Sequence, residues 1–350
     1  KKQYFSRNGC KLEINLIYIW SRVNHHPQRS NQGMNSNTEN TIKADPEVEQ
    51  WLAPLLYFDI FSYPLTLEEI ILFGQVPDPA KDRIKSILLR WVASGRLFLF
   101  NDYFSVSNQP GWVQAREQNH HRAEIFKRKA VRMSRLIALF PFVRGVFISG
   151  SLSKDIMLAD GDIDYFIITH RSRLWIARTL LILFKKIFLF NSHKYFCLNY
   201  FVDEDHLEIE EKNIYTATEI VTLIPMHGSK YYTDFCHANL WTKKYFPNFP
   251  MRSTETVVIH KSGWFKNAFE KMFLGRAGAG LNSFLMEQTI NYWRNKFKTF
   301  DAESFSLAFK STVSVSKHHP RNFQSRVLKA YQERIRIFEE NHQVKLNVKI

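Results

Sequence analysis

Asp162 and Asp164 stand one residue apart at the head of an apolar run. Ten residues separate them from the pair Gly150-Ser151, which closes another such run. Val143, Val146, Phe147 and Ile148 lead into the glycine; Ile163, Tyr165, Phe166, Ile167 and Ile168 surround the aspartates, behind an Asp160-Gly161 turn. Continuous apolar runs bounded by turns predict strands buried on both faces. On a strand, side chains two apart point the same way, so both carboxylates face one side while Ile163 faces the other. Two such carboxylates repel each other and lose solvation unless a cation lies between them. Magnesium suits the pair, because it takes hard oxygen ligands and is held by one or two carboxylates together with substrate phosphates. Gly150 lets backbone approach a phosphate, and Ser151 offers a hydroxyl and an N–H at a helix start, where anions are favoured.

This order of features, Gly-Ser, ten residues, then Asp-apolar-Asp on a strand, resembles the signature of the nucleotidyltransferase superfamily. The resemblance implies a polymerase beta-like palm and a requirement for two Mg2+ ions. It makes Asp162 and Asp164 the catalytic and metal-holding pair. It assigns the nucleoside triphosphate to Gly150, Ser151, Ser153 and Lys154, with Arg171 and Arg178 as further cations for the phosphates. The family carries a third carboxylate on the following strand, where this chain has Asn199 within residues 194–202. An amide can orient a hydroxyl but is no general base. Asp203 and Glu219 are the acidic alternatives for that place. Arg171 serves equally well as a cap on neighbouring carbonyls, whereas Arg178, set in an apolar helix, requires a partner.

Stepping outward, the 350 residues suffice for two or three cores. Hydrophobic content of 45% and charged content of 23% exclude a disordered or fibrous chain. A formal charge of +15 favours polyanionic partners, nucleotide or nucleic acid, although a dispersed basic surface also serves solubility. Cys10, Cys197 and Cys236 make neither a disulfide framework nor a metal motif, which suits a reducing cytoplasm. The most apolar stretch, residues 174–190, is interrupted by Arg178 and Lys185-Lys186 and is too short to span a membrane.

Residues 1–45 read as a disordered or non-native tail, with Met34 a candidate start and residues 1–33 without function. Residues 46–107 contain three helices followed by a hairpin at Asn101-Asp102, with Thr66 and Glu69 as a capping box; the arrangement resembles a winged helix-turn-helix. Its third helix would show Lys81, Arg83, Lys85 and Arg90 to DNA; the alternative is a module that only docks on its neighbour. Residues 108–250 form the nucleotidyltransferase domain, entered by one long basic helix over 110–140 whose cations suit a solvated face or a nucleic acid track. His120 and His121 on it have no ligand-spaced partner. Residues 251–350 read as helices, with 275–280 as a joint and His318-His319-Pro320 before the last.

The segments YFDIFSYPLTLEE, PFVRGVFISGSL and LNYFVDEDHLEIEEKNIYTATEIVTLIPMHG are similar to bacterial nucleotidyltransferase-domain proteins of unassigned substrate, over roughly residues 50–340. The expected fold class is therefore α+β. The expected activity is Mg-dependent transfer of a nucleoside monophosphate to an acceptor with release of pyrophosphate. The alternative is a nucleotide-sensing or DNA-binding regulator without turnover.

Overall fold

The computed structural model describes residues 42–43, 46–77, 80–255, 257, 263–301, 305, 309–317 and 323–350. The expectations for residues 1–41, and for the His318-His319-Pro320 segment, lie outside the described residues. The chain is mixed α+β, and among the described residues no helix is long and apolar enough to cross a membrane.

The first elements are β1 (Ile42–Lys43), α1 (Pro46–Asp59), β2 (Leu65–Thr66), α2 (Leu67–Leu72), α3 (Lys81–Ala93), β3 (Phe98–Phe100) and β4 (Tyr103–Ser105). The capping box forms: the Glu69 amide donates to Thr66 Oγ1, and the Thr66 amide donates to Glu69 Oε2 at 2.9 Å. Asn101 turns β3 into β4, and β2 adds to that hairpin as a third antiparallel strand. These elements do not close a core alone. Trp51, Leu56 and Phe58 of α1 and Trp91 of α3 share one with Tyr331, Ile335 and Phe338 of α10 (Phe323–His342). Tyr331 Oη donates to the Ala53 carbonyl at 3.3 Å, Trp91 stacks on Phe338, and Arg334 pairs with buried Asp59 at 3.1 Å. The last strand, β10 (Val344–Lys345), runs parallel to β1. These first elements are thus sealed by α10 and β10.

The long basic helix is α4 (Gly111–Ala138), leading into β5 (Val143–Ser149). There follow β6 (Asp164–Thr169), α5 (Leu174–Phe188), β7 (Cys197–Asp203), α6 (Ile214–Val221), β8 (Ile224–His227) and α7 (Ser229–Ala238). Two helices, α8 (Trp264–Phe273) and α9 (Arg276–Lys296), precede β9 (Val315–Lys317). The main sheet has the order β8-β5-β6-β7-β9; only β6 and β7 run parallel. Both of its faces are buried, as the apolar runs require. Ile148, Tyr165 and Ile167 enter the core under α4, α5 and α9, while Phe147, Phe166 and Ile168 enter a second core with Ile220 and Phe235. Two expectations for the C-terminal region are corrected. Helix α9 starts directly after Gly275, absorbing the glycines expected to form a joint, and β9 extends the sheet where only helices were expected.

Candidate functional site

Register brings the first chemistry together. Ser149, the last residue of β5, pairs with Asp164, the first of β6, so the turn after Ser149 lies against the Asp164 carboxylate. Gly150 turns there with a left-handed φ of +67°, and a Cβ built on it would stand 2.3 Å from Asp164 Oδ2. Glycine is required on both grounds, conformation and approach. The turn continues as a short helical bend over Leu152–Lys154. Ser153 Oγ donates to the Gly150 carbonyl at 2.8 Å and to Thr222 Oγ1 at 3.2 Å; Lys154 Nζ donates to the same carbonyl at 2.9 Å. Ser151 Oγ is buried and has no hydrogen-bond partner among the described residues.

The third strand completes the group through an irregularity. Between Tyr165 and Phe166 the β6–β7 register slips, so Asn199 is the extra residue of β7. A bulge of this kind re-aims a side chain, and here Asn199 and Tyr200 both face the cavity. Asn199 Nδ2 donates to Asp164 Oδ1 at 2.6 Å, and the Cys197 thiol donates to Asn199 Oδ1 at 3.1 Å. The thiol thus orients the amide with its NH2 toward the carboxylate. His193 Nδ1 lies 3.9 Å from that sulfur; burial, together with Lys185, holds its pKa down at about 4, against the pull of Asp162.

These groups open onto a cavity of about 600 Å³. Ser149, Gly150, Ser151, Asp164, Asn199 and Tyr200 form its sheet side. The rest of the lining includes Tyr57 and Phe58 of α1, Phe61 and Tyr63 just after it, Tyr215 and Glu219 of α6, and Phe323 of α10. Three of the cations around it are paired, while exposed Lys329 also lines it. Lys154 meets Glu219 at 2.8 Å, Arg116 grips Glu69 through two bonds of 2.7 and 2.8 Å, and Lys317 lies 3.9 Å from Glu211. Burial pushes the Lys317 pKa down, and Glu211 opposes that.

The expected site residues divide accordingly. Asp164, Gly150, Ser151, Lys154, Asn199 and Glu219 line the one cavity. Ser153 ties the turn from beneath. Asp162 is buried, at 2% exposure, but is not among the lining residues. Arg171 is exposed and pairs with Glu204 and Asp205, at the opposite end of β6 from Asp164. Arg178 is buried on the helical side of the sheet over the rings of Trp175 and Trp293, where burial lowers its pKa to about 10. Its partner is aromatic, not phosphate. Asp203 accepts from the amides of Ser172 and Asp205 and pairs with His206 at 2.7 Å, which makes it a structural carboxylate at the far end of β7. None of these three lines the cavity.

A hard-oxygen donor for a divalent cation is present at Asp164, and the space beside it that a Cβ at position 150 would fill is kept open by Gly150. The residues present fit one Mg2+ at Asp164, not the two expected from the aspartate pair, because Asp162 precedes β6 and does not line the cavity. A second acidic group, His120, Glu124 and Asp155, has its donor atoms within 4.8 Å of one another. Lys127 already bridges Glu124 and Asp155, so that cluster is a surface ion network. Sequence reasoning missed Cys197, which acts on the cavity through Asn199, and also Glu211, Lys317 and the aromatics at the end of α1, which reach the cavity through long-range packing. No family model, curated protein or solved structure matches the chain, and the functional reading therefore rests on the geometry of this cavity.

Proposed function

We propose that the protein is a Mg-dependent nucleotidyltransferase of polymerase beta-like type, moving a nucleoside monophosphate from a triphosphate to an acceptor with release of pyrophosphate. One observation carries the reading. The Ser149–Asp164 pairing sets the Gly150-Ser151 turn and a buried carboxylate side by side in one cavity wall. Gly150 removes the side chain that would bar the phosphates' approach, and Ser151 places its backbone at the same turn in the cavity wall. Lys154 supplies countercharge once Glu219 gives way to phosphate. Asp164 would hold the cation. The bound metal would screen charge on the α-phosphate and activate the attacking oxygen. Asn199 fixes Asp164 through its amide and takes no proton.

A test uses the four α-labelled triphosphates with magnesium and cell extract. Labelled product that disappears in Asp164→Ala supports the transfer. Absence of both Mg-NTP binding and product in the folded wild type rejects it.

The Asn199–Asp164 hydrogen bond favours a second reading, because it occupies the place of a general base with an amide. The chain would then be a nucleotide-binding regulator whose α3 shows exposed Arg83, Lys85 and Arg90 to duplex DNA. Tight Mg-NTP binding without product, together with DNA binding that weakens steeply with salt, distinguishes it.

A further inference from the structure

We infer that the protein docks on an anionic membrane surface through the place where α4, α5 and α8 meet, with apolar side chains entering the lipid and cations meeting the headgroups. None of the residues that form this surface lines the cavity, so it is a second site, independent of the transfer proposed above.

The apolar groups come from three segments that touch one another. Lys266 Nζ, in the first turn of α8, donates to the Ala138 carbonyl at 2.8 Å, which brings Trp264 and Phe265 to the C-terminal end of α4. Leu139 and Phe140 follow Ala138 directly. Phe140 meets Phe184 of α5 at 5.4 Å, and Phe184 stacks on Phe188 at 4.9 Å. Along this line of contacts Trp264 is 81% and Phe190 91% exposed. Leu139, Leu183, Ile187, Phe188 and Phe265 are exposed as well. Large apolar side chains exposed one at a time are ordinary, but a group gathered at one junction marks a contact surface.

Charge selects what covers it. Residues 132–140, 179–194 and 263–276 expose Arg132, Arg135, Lys186, Lys194, Lys271 and Arg276. The one carboxylate in these segments is Glu270, which Arg144 holds through bonds of 2.8 and 2.9 Å. Arg135 stands one turn before Leu139, and Lys186 lies between Leu183 and Ile187, so cations and apolar groups are interleaved. A two-fold dimer would set this surface against its own copy, cation against cation. Nucleic acid would satisfy the cations, but Leu139, Leu183 and Ile187 have no π face for a base and would stay wet. An anionic bilayer answers both features, taking apolar groups below its headgroups and attracting Lys and Arg to its surface. Tryptophan is also at home at that boundary. With 15 residues α5 is about 22 Å long, short of a hydrocarbon core of about 30 Å, so it lies on the membrane and does not cross it.

The test is co-sedimentation of the full chain with vesicles of equal parts phosphatidylserine and phosphatidylcholine, beside vesicles of phosphatidylcholine alone. The expected result is partition into the anionic vesicles that weakens as salt rises, and much weaker partition into the neutral ones. Phe190→Ser and Trp264→Ser should each weaken it about tenfold. Arg135→Gln and Lys186→Gln should each weaken it about fivefold. All four side chains are exposed. A variant is compared only with an unshifted unfolding midpoint, and any one of them suffices. Calorimetry should show Mg-NTP affinity unchanged in Phe190→Ser and Trp264→Ser, so that failure of the docking and failure of the transferase reading are told apart. Absence of binding to the anionic vesicles overturns the docking, as does equal binding by wild type and folded variants. Self-association in sedimentation velocity, or capture of an oligoribonucleotide, that Phe190→Ser abolishes while vesicles go unbound would assign the surface to a second copy or to nucleic acid, and would overturn it too.

Discussion

The two sides of the cavity are assembled differently. The sheet side takes Ser149, Gly150, Asp164 and Asn199 from three adjacent strands, and backbone pairing plus one bulge fixes their positions. The facing side takes Phe61, Tyr215 and Phe323 from segments that meet only because α10 closes the core begun by α1. The first is held by hydrogen bonds with little tolerance for added atoms. The second is held by packing, with the Arg116–Glu69 pair as its main polar tie. Position on the sheet side is therefore set within about an ångström, while the facing side can adjust its rings.

The sharpest break in this contrast comes from Gly150→Ala. The new Cβ meets Asp164 Oδ2 at 2.3 Å in a backbone conformation that alanine resists. The expected loss is about 2–4 kcal/mol in denaturant unfolding, together with loss of Mg-NTP binding by calorimetry. An unchanged unfolding midpoint and unchanged binding would show that the turn does not approach the carboxylate.

On the facing side, Arg116→Met leaves Glu69 and the Pro64 carbonyl without their donor and removes the cation over Tyr63 and Tyr103. The side chains of the pair are 10% and 25% exposed, so the expected cost is about 2 kcal/mol, below that of a fully buried pair. Adding Glu69→Gln should recover part of it in a double-mutant cycle. Strict additivity of the two changes would deny the pair its role in holding the end of α1 over the cavity.

Asn199→Asp probes the sheet side by charge instead of volume. A hydrogen bond of 2.6 Å becomes a repulsive contact between two carboxylates. Without metal the variant should lose about 1–3 kcal/mol. Millimolar magnesium should restore more of that in the variant than it adds to the wild type, through linkage. Thermal unfolding with and without magnesium reads the difference, and equal magnesium effects in the two proteins would remove Asp164 from any cation site.

The same contrast explains what could be read in the chain beforehand. Strand pairing of 143–149 with 164–169, the capping box at Thr66 and the long basic helix follow from local pattern, because periodicity and turn residues act over short spans. Asn199 was visible as a departure from the expected carboxylate. The bulge that turns it onto Asp164 was not, since it depends on the register with β6. Arg171 and Arg178 were expected near phosphate because they follow the acidic strand closely in the chain, and Asp203 was an acidic alternative to Asn199 because it ends the same strand. A strand carries its ends far apart, however, and these residues finish beyond the cavity or beneath the sheet. The aromatic side was illegible for another reason. Phe61 and Phe323 carry no pattern that pairs them, and only the shared core of α1 and α10 makes them neighbours.

The smallest expected effect concerns pH and lies just behind the sheet side. His193 stands beside Cys197, whose thiol orients Asn199. Burial and the nearby Lys185 and Lys296 disfavour its charged form, and only Asp162 favours it, so its pKa falls from 6.5 to about 4. Between those values the unfolded chain binds a proton that the folded chain refuses. This contribution to stability is therefore complete above pH 6.5 and is lost as the pH falls toward about 4. Allowing for the ring's partial exposure to solvent, the loss is ~1–2 kcal/mol. Carboxylates titrate at the acid end of the same window, so the comparison is with His193→Gln. Denaturant midpoints measured from pH 7 to pH 4 should fall less steeply in the variant than in the wild type, by that amount. Parallel curves would mean that His193 is charged as readily in the folded protein as in the unfolded chain. The ring would then have to be open to water, and the Cys197–Asn199–Asp164 chain of hydrogen bonds would lose the dry backing that keeps it oriented.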